Sequence, residues 1–146
     1  MELASPIDFP ALPHDVLVVE DDPIIALDYE DTILGFGVTT VRSAANVVTA
    51  LAEIAARPPD FAVLDVGLAR EKSFAVAEQL EALNIPFVFV TGYGSGKVPA
   101  IFADRPRLPK PFSTEALLVV LRRNGARGGG PKDSDEFGPL TNPPTI

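Results

Sequence analysis

The sequence contains no cysteine and only one histidine, His14, among its 146 residues. Without thiols the chain can form neither a disulfide framework nor a thiolate metal site. The single His14 cannot build a histidine cluster, and it does not lie in a plausible site for a Ser-His triad. These absences exclude zinc and thiol chemistry.

Basic residues are scarce relative to acidic ones, with 12 against 20 and a net charge of −8. A chain of that charge repels a nucleic-acid backbone. Runs of about 18 apolar residues are also missing, and the N-terminus lacks the basic start and apolar stretch of a signal peptide. We therefore expect a cytoplasmic protein that neither binds nucleic acid nor inserts into a membrane.

The apolar content of 47% is enough for the core of one domain. Prolines punctuate residues 1–13, and glycines and prolines recur over 126–146, so both segments are predicted to be flexible tails around a domain at 14–125. The last 21 residues are too few to fold alone, so no output domain is expected. Between the tails, short apolar runs alternate with helical patterns, which predicts an α/β doubly wound parallel sheet.

Five strands and five helices are predicted in this domain. The strands cover residues 16–19, 38–41, 61–64 and 86–90 and a brief segment around Arg107 and Leu108. Three of the helices are predicted to begin at the caps Asp22, Ser43 and Ser113. The other two are predicted over residues 73–83 and, as a short helix, over 97–103. We expect Ile24, Leu27 and Leu34 to share one face of the first helix. The second helix is predicted to turn five residues to the sheet: Val47, Val48, Leu51, Ile54 and Ala55.

Polar side chains stand at the carboxyl ends of the predicted strands. Glu20 and Asp21 follow the first strand, Asp65 the third, Thr91 the fourth and Lys110 the fifth. In a doubly wound sheet these ends share one edge, where ligands bind. Crowded carboxylates raise one another's pKa unless a cation lies among them, and Mg2+ takes carboxylate and phosphate oxygens. With a hydroxyl and an ammonium beside the metal, the set indicates phosphoryl transfer to Asp65 as nucleophile.

The same residues resemble the response-regulator receiver domains of two-component signalling. The segments VLVVEDD, FAVLD, FVFVTGYG and LPKPF match the family's functional positions in order and spacing, over about residues 15–124. The resemblance implies a flavodoxin-like sheet of order 2-1-3-4-5, a histidine kinase as phosphoryl donor, and a downstream or phosphotransfer partner. Such a domain assists its own phosphorylation and dephosphorylation without being an enzyme on outside substrates.

The resemblance also implies a role for each matched residue. Asp65 would accept the phosphoryl group, Lys110 would pair with its oxygens, and Thr91 would donate a hydrogen bond to it. The implied Mg2+ ligands are Asp21, Asp65, Glu20 through a water molecule, and the carbonyl of Gly67.

One position departs from the common receiver pattern. Where receivers usually carry an aromatic residue, three before the lysine, this chain has Arg107. Tyr93 instead follows Thr91 in PFVFVTGYG, which resembles the PFxFATGY motif of the FATGUY single-domain receivers. Tyr93 is predicted to shield the acyl phosphate from water, and the bond before Pro111 is predicted to be cis, as in the family.

Other classes of protein were weighed against this interpretation. Aspartyl-phosphate phosphohydrolases carry a DxD motif, in which the second acid acts as general acid. In this chain Gly67 occupies the position of that second acid, which argues against this class. A P-loop is excluded because Thr91 and Val98 occupy positions that require Gly and Ser or Thr. A fragment of a hybrid kinase and a pseudo-receiver that binds partners without phosphorylation are the alternatives.

Overall fold

Five short segments form the strands of a single parallel sheet. The computed structural model describes residues 11–92 and 97–128; its strands are β1 (Asp15–Val19), β2 (Thr40–Ala44), β3 (Phe61–Asp65), β4 (Phe87–Thr91) and β5 (Arg107–Pro109). They are hydrogen-bonded in the order β2-β1-β3-β4-β5, and every pairing is parallel. The predicted doubly wound sheet and its strand order are therefore confirmed.

Four α-helices flank the sheet: α1 (Pro23–Gly35), α2 (Val47–Ala56), α3 (Phe74–Ala82) and α4 (Thr114–Gly128). Two predicted caps are in place. The Asp22 carboxylate accepts hydrogen bonds from the first turn of α1, and Ser113 Oγ accepts one from the backbone N–H of Ala116 at 3.0 Å. The helix α4 continues past residue 125, the predicted end of the domain. No helix within the described ranges has the length and apolarity needed to span a bilayer.

Side chains of the strands alternate between two apolar layers. One layer contains Leu17, Leu64 and Phe89 and is covered by α2 and α3. The other contains Val18 and Val63 and is covered by α1 and α4. Because both faces of the sheet are covered, the central strands β1, β3 and β4 are almost wholly apolar and their polar side chains stand at the ends, whereas the edge strand β2 carries Arg42 and Ser43 within it.

The face of α1 that packs on the sheet differs from the prediction. Ile24, Leu27 and Leu34, expected to share the inward face, are 78%, 55% and 45% exposed. The buried positions of this helix are Ala26, Tyr29 and Ile33. Apolar residues occupy two overlapping stripes of α1, so spacing alone does not decide which stripe meets the sheet.

The strand β2 runs to Ala44, beyond the predicted end at residue 41, because it pairs with β1 along all five residues. Ser43 therefore lies within the strand and does not cap the next helix. Asn46 caps α2 instead, since its side chain accepts a hydrogen bond from the backbone N–H of Thr49 at 2.8 Å.

The orientation of α2 was predicted only in part. Ile54 is buried as expected, and Val47 packs partly against the core. Val48, however, is 77% exposed, and the fully buried partner of Ile54 is Ala50. Apolar side chains occur on every side of this helix, which leaves its rotation to be fixed by contact with the sheet.

The predicted helix over 97–103 is instead a single turn of 3-10 helix, Ala100–Phe102. The backbone N–H of Phe102 donates to the Pro99 carbonyl at 2.9 Å, and its buried ring packs against Phe87 and Phe89 at centroid distances of 6.1 and 5.6 Å. Pro99 disfavours a longer helix at this point. The prediction of five helices was wrong, because residues 11–92 and 97–128 contain four α-helices and this short turn.

Candidate functional site

The sheet brings the predicted site residues to one edge. The parallel register places Val19 beside Leu64, so Glu20 and Asp65, the next residues along β1 and β3, are neighbours. Thr91 is the half-buried last residue of β4, and Lys110 follows β5 directly. Four separate strand ends therefore converge on this edge, as the sequence predicted.

Three acidic side chains form a tight cluster there. Carboxylate oxygens of Glu20, Asp21 and Asp65 all lie within 4.8 Å of one another. Glu20 and Asp65 are only 3% and 6% exposed, and Asp21 is half-buried. Such crowding of negative charge in a buried place is unfavourable without a cation.

Glu20 shows most directly that the cluster suits a cation. Its Oε2 accepts a hydrogen bond from the Asp22 backbone N–H at 3.0 Å, but its buried Oε1 has no hydrogen-bond partner within the described residues. Burial first, and then the neighbouring Asp65 carboxylate, raise the pKa of Glu20 to about 8. An orphaned carboxylate oxygen among two other carboxylates is a donor set that a hard, oxygen-seeking ion such as Mg2+ fits.

Lys110 supplies the positive charge of the site. Its Nζ donates a hydrogen bond to Asp65 Oδ2 at 3.0 Å and lies 3.8 Å from Glu20 Oε1. Its backbone N–H donates to the carbonyl of Thr91 at 2.7 Å, which ties the β5 end to the β4 end. The following peptide bond, Lys110–Pro111, is cis, as predicted.

Gly67 lies in the loop between β3 and α3, two residues after Asp65. The backbone N–H of Val66 donates to the Val90 carbonyl at 3.1 Å, which continues the β3–β4 pairing beyond Asp65. Gly67 itself pairs with Lys72 in an antiparallel bridge. Gly67 lines the same cavity as Asp65, and the role of its carbonyl as a Mg2+ ligand stays a prediction.

A cavity of about 810 Å³ opens onto Asp65. Asp65, Gly67 and Lys110 line it, together with Tyr29 of α1 and Lys72 of the β3–α3 loop. Sequence reasoning missed both of these last residues. Tyr29 was hidden within an apolar helix pattern, and no spacing signal marks Lys72, which reaches the cavity only through the fold of its loop.

Two other predicted residues stand apart from this cavity or outside the described ranges. Arg107 is exposed on the edge strand β5, and its guanidinium donates to the Ala103 carbonyl at 3.4 Å. At the position where receivers usually carry an aromatic residue, this chain therefore has an exposed cationic side chain. Tyr93 lies outside the described residues.

A comparison with protein families matches residues 16–122 to the response regulator receiver domain. The matched span contains every residue of the cluster and all of the sheet except Asp15, the first residue of β1. The chain belongs to the response-regulator receiver family. Receivers are the phosphoacceptor domains of two-component response regulators, and they bind Mg2+ in an acidic pocket. This receiver has an acidic cluster of Glu20, Asp21 and Asp65.

Curated relatives of this receiver are longer proteins. The nitrogen assimilation regulatory protein NtrX of Azorhizobium caulinodans is 32% identical over 125 residues, which cover 75% of this chain but 26% of NtrX. The phyllosphere-induced regulator PhyR of Methylorubrum extorquens is 28% identical over 123 residues, covering 77% of this chain and 46% of PhyR. The chain thus spans less than half the length of these two relatives.

Solved receiver structures share the fold. The solution structure of SdrG from Sphingomonas melonis Fr1 is 42% identical, with a TM-score of 0.65 over 73% of this chain and 94% of SdrG. The PhyR stress response regulator is 28% identical, with a TM-score of 0.62 over 86% of this chain and 49% of PhyR. These similarities agree with the flavodoxin-like sheet described above.

Proposed function

We propose that Asp65 accepts a phosphoryl group from a sensor histidine kinase in a Mg2+-dependent reaction. The phosphorylated receiver then signals by binding a partner protein or by relaying the phosphoryl group. The observation that carries this proposal is the 3.0 Å contact between Lys110 Nζ and Asp65 Oδ2, beside the carboxylates of Glu20 and Asp21. A nearly buried carboxylate held between a lysine and a cation site is suited to act as a nucleophile towards phosphorus.

Mg2+ held by the three carboxylates and the Gly67 carbonyl would supply positive charge to the phosphoryl oxygens. An oxygen of Asp65 forms the new bond to phosphorus, the bond from phosphorus to the donor breaks, and the donor leaves with that electron pair. Lys110 stays beside the new acyl phosphate and neutralises part of its charge. Thr91, at the end of β4, donates a hydrogen bond to a phosphoryl oxygen.

Assignment to the FATGUY type forms a second part of the proposal. The motif PFVFVTGYG and the 42% identity to SdrG support it. In this assignment Tyr93 shields the acyl phosphate, and Arg107 takes no part in an aromatic switch. The receiver acts in the cytoplasm, and its domain extends past the predicted end at residue 125 to include all of α4, which ends at Gly128.

The test is the intact mass of the protein after incubation with Mg2+ and acetyl phosphate. We expect a gain of one phosphoryl group, lost in Asp65→Asn and lost when EDTA removes the metal. Asp31→Asn is the matched control, because it makes the same chemical change at an exposed carboxylate of α1. This control variant should be phosphorylated like the original protein.

Beryllium fluoride with Mg2+ gives a second readout, since one solved structure of SdrG is described as its BeF3-activated conformation. Amide NMR signals around Asp65 and Lys110 should shift on its addition, and those of Asp65→Asn should not. If neither acetyl phosphate nor purified kinases label the protein, the phosphorylation proposal fails and a phosphorylation-independent binding module replaces it.

A further inference from the structure

A second lysine lies at the cavity that contains Asp65. Lys72 lines this cavity together with Asp65 and Lys110. The two lysines come from different loops, since Lys72 precedes α3 and Lys110 follows β5. The phosphoacceptor therefore faces a cavity to which two ammonium groups contribute.

The backbone of the β3–α3 loop fixes where Lys72 stands. The N–H of Ser73 donates to the Val66 carbonyl at 3.1 Å, and the N–H of Leu68 donates to the Glu71 carbonyl at 2.9 Å. These bonds fold the loop into a small hairpin in which Gly67 and Lys72 face each other. Lys72 is thus held across from a residue only two positions from Asp65.

The Lys72 side chain passes close to Gly67, the residue that it faces across the hairpin. A Cβ placed on Gly67 would lie 3.8 Å from Lys72 Nζ, an ordinary van der Waals distance, so the ammonium is a near neighbour of Gly67. The Lys72 side chain is therefore folded back towards the site and not extended away from the hairpin. Both Lys72 and Gly67 line the cavity that contains Asp65.

The negative charge of the site would make a second cation favourable for binding a phosphoryl group. The cluster holds three carboxylates, and the Lys110 ammonium already contacts two of them, at Asp65 and Glu20. A phosphoryl group brings further negative charge to a chain of net charge −8. Positive groups aimed at the equatorial oxygens are what phosphoryl transfer most needs from a protein.

We infer that Lys72 is a second phosphoryl-binding residue, which contacts the oxygens of the incoming group while Lys110 contacts Asp65. This inference rests on the proposed function, because it requires a phosphoryl group at Asp65. It adds a cation from the β3–α3 hairpin to the site. Anionic phosphoryl donors would meet this ammonium as they enter the cavity.

The experiment compares Lys72→Gln with Arg70→Gln. Both substitutions remove one positive charge from the same hairpin, both positions are exposed, and Lys72 is the one that lines the cavity. With Mg2+ and acetyl phosphate we expect Lys72→Gln to lower the initial phosphorylation rate and the affinity for beryllium fluoride about five-fold, the scale of one exposed charge-assisted contact. Arg70→Gln should change either quantity less than about two-fold.

Lys72→Arg should restore most of the rate, because the positive charge is kept. Unchanged thermal unfolding of Lys72→Gln would show that its loss does not come from a disturbed hairpin. The inference is overturned if Lys72→Gln matches Arg70→Gln while the original protein is phosphorylated normally. If the original protein itself gains no phosphoryl group, the proposed function fails and the role of Lys72 fails with it.

Discussion

At the scale of single residues, Glu20 is the group whose protonation the fold alters most clearly. Its carboxyl is 3% exposed and adjoins Asp65, and these surroundings raise its pKa from the ordinary 4.5 to about 8. Between these two values the unfolded chain has released the proton while the metal-free folded protein retains it. The carboxyl therefore favours the folded state most at acid pH.

The sign of the resulting pH dependence is fixed by that difference. As pH rises from about 4.5 to about 8, the contribution of Glu20 to the free energy of unfolding falls by up to about 1.4 kcal/mol per pH unit. Urea unfolding measures the free energy of unfolding of the EDTA-treated protein between pH 5 and pH 8. That free energy should fall more steeply with pH in the original protein than in Glu20→Gln. Mg2+ should reduce the fall, because the cation favours the ionised carboxylate. Parallel pH profiles for the two proteins would contradict the prediction.

At the scale of secondary-structure elements, the short 3-10 turn depends on one side chain. Phe102 is 1% exposed and packs against the rings of Phe74, Phe87 and Phe89, whereas its neighbour Ile101 is 72% exposed. Phe102→Ala should lower the free energy of unfolding by about 3 kcal/mol, because it leaves a cavity among the aromatic rings. Ile101→Ala should stay within about 0.5 kcal/mol of the original protein. Equal denaturant midpoints for both variants would refute the anchoring role.

The elements also show how far the sequence predicts this protein. Strand ends could be predicted because β-branched and aromatic runs stop abruptly at polar residues, so Asp65 and Thr91 were placed correctly. Helix faces could not, since α1 and α2 carry apolar residues on more than one side and contact with the sheet selects the buried stripe. The strand β2 was predicted at residues 38–41 but covers Thr40–Ala44, because pairing with β1, a tertiary interaction, sets where it begins and ends.

The residues of the candidate site likewise fall into those that the sequence predicts and those that it does not. Glu20, Asp21 and Lys110 were predictable, because the order of strands alone brings their positions together. Lys72 was not, because its place at the cavity depends on the hydrogen bonds of a hairpin. Local loop geometry of this kind leaves no periodic pattern in the sequence.

At the scale of the whole molecule, a polar network lies away from the carboxylate cluster. Arg42 of β2 is 14% exposed and donates hydrogen bonds to both carboxylate oxygens of Asp15, at 3.0 Å each. The same guanidinium donates to Glu53 Oε1 at 3.1 Å and to the Arg57 carbonyl at 2.8 Å. One cation thereby joins β1, β2 and α2, with Asp15 at the first position of β1 and the phosphoacceptor at the last position of β3.

This separation predicts that stability and phosphorylation can be altered independently. Arg42→Gln removes two hydrogen bonds from the half-buried Asp15 carboxylate and leaves the one that Arg57 Nε donates at 2.8 Å, so the free energy of unfolding should fall by about 2 kcal/mol. Arg123→Gln, at an exposed position of α4, should change it by less than about 0.5 kcal/mol. Acetyl phosphate labelling of folded Arg42→Gln at 25 °C should proceed at the original rate, because no contact of Arg42 reaches the carboxylate cluster through the bonds described. A labelling rate that fell together with stability would show that the sheet transmits the loss to Asp65.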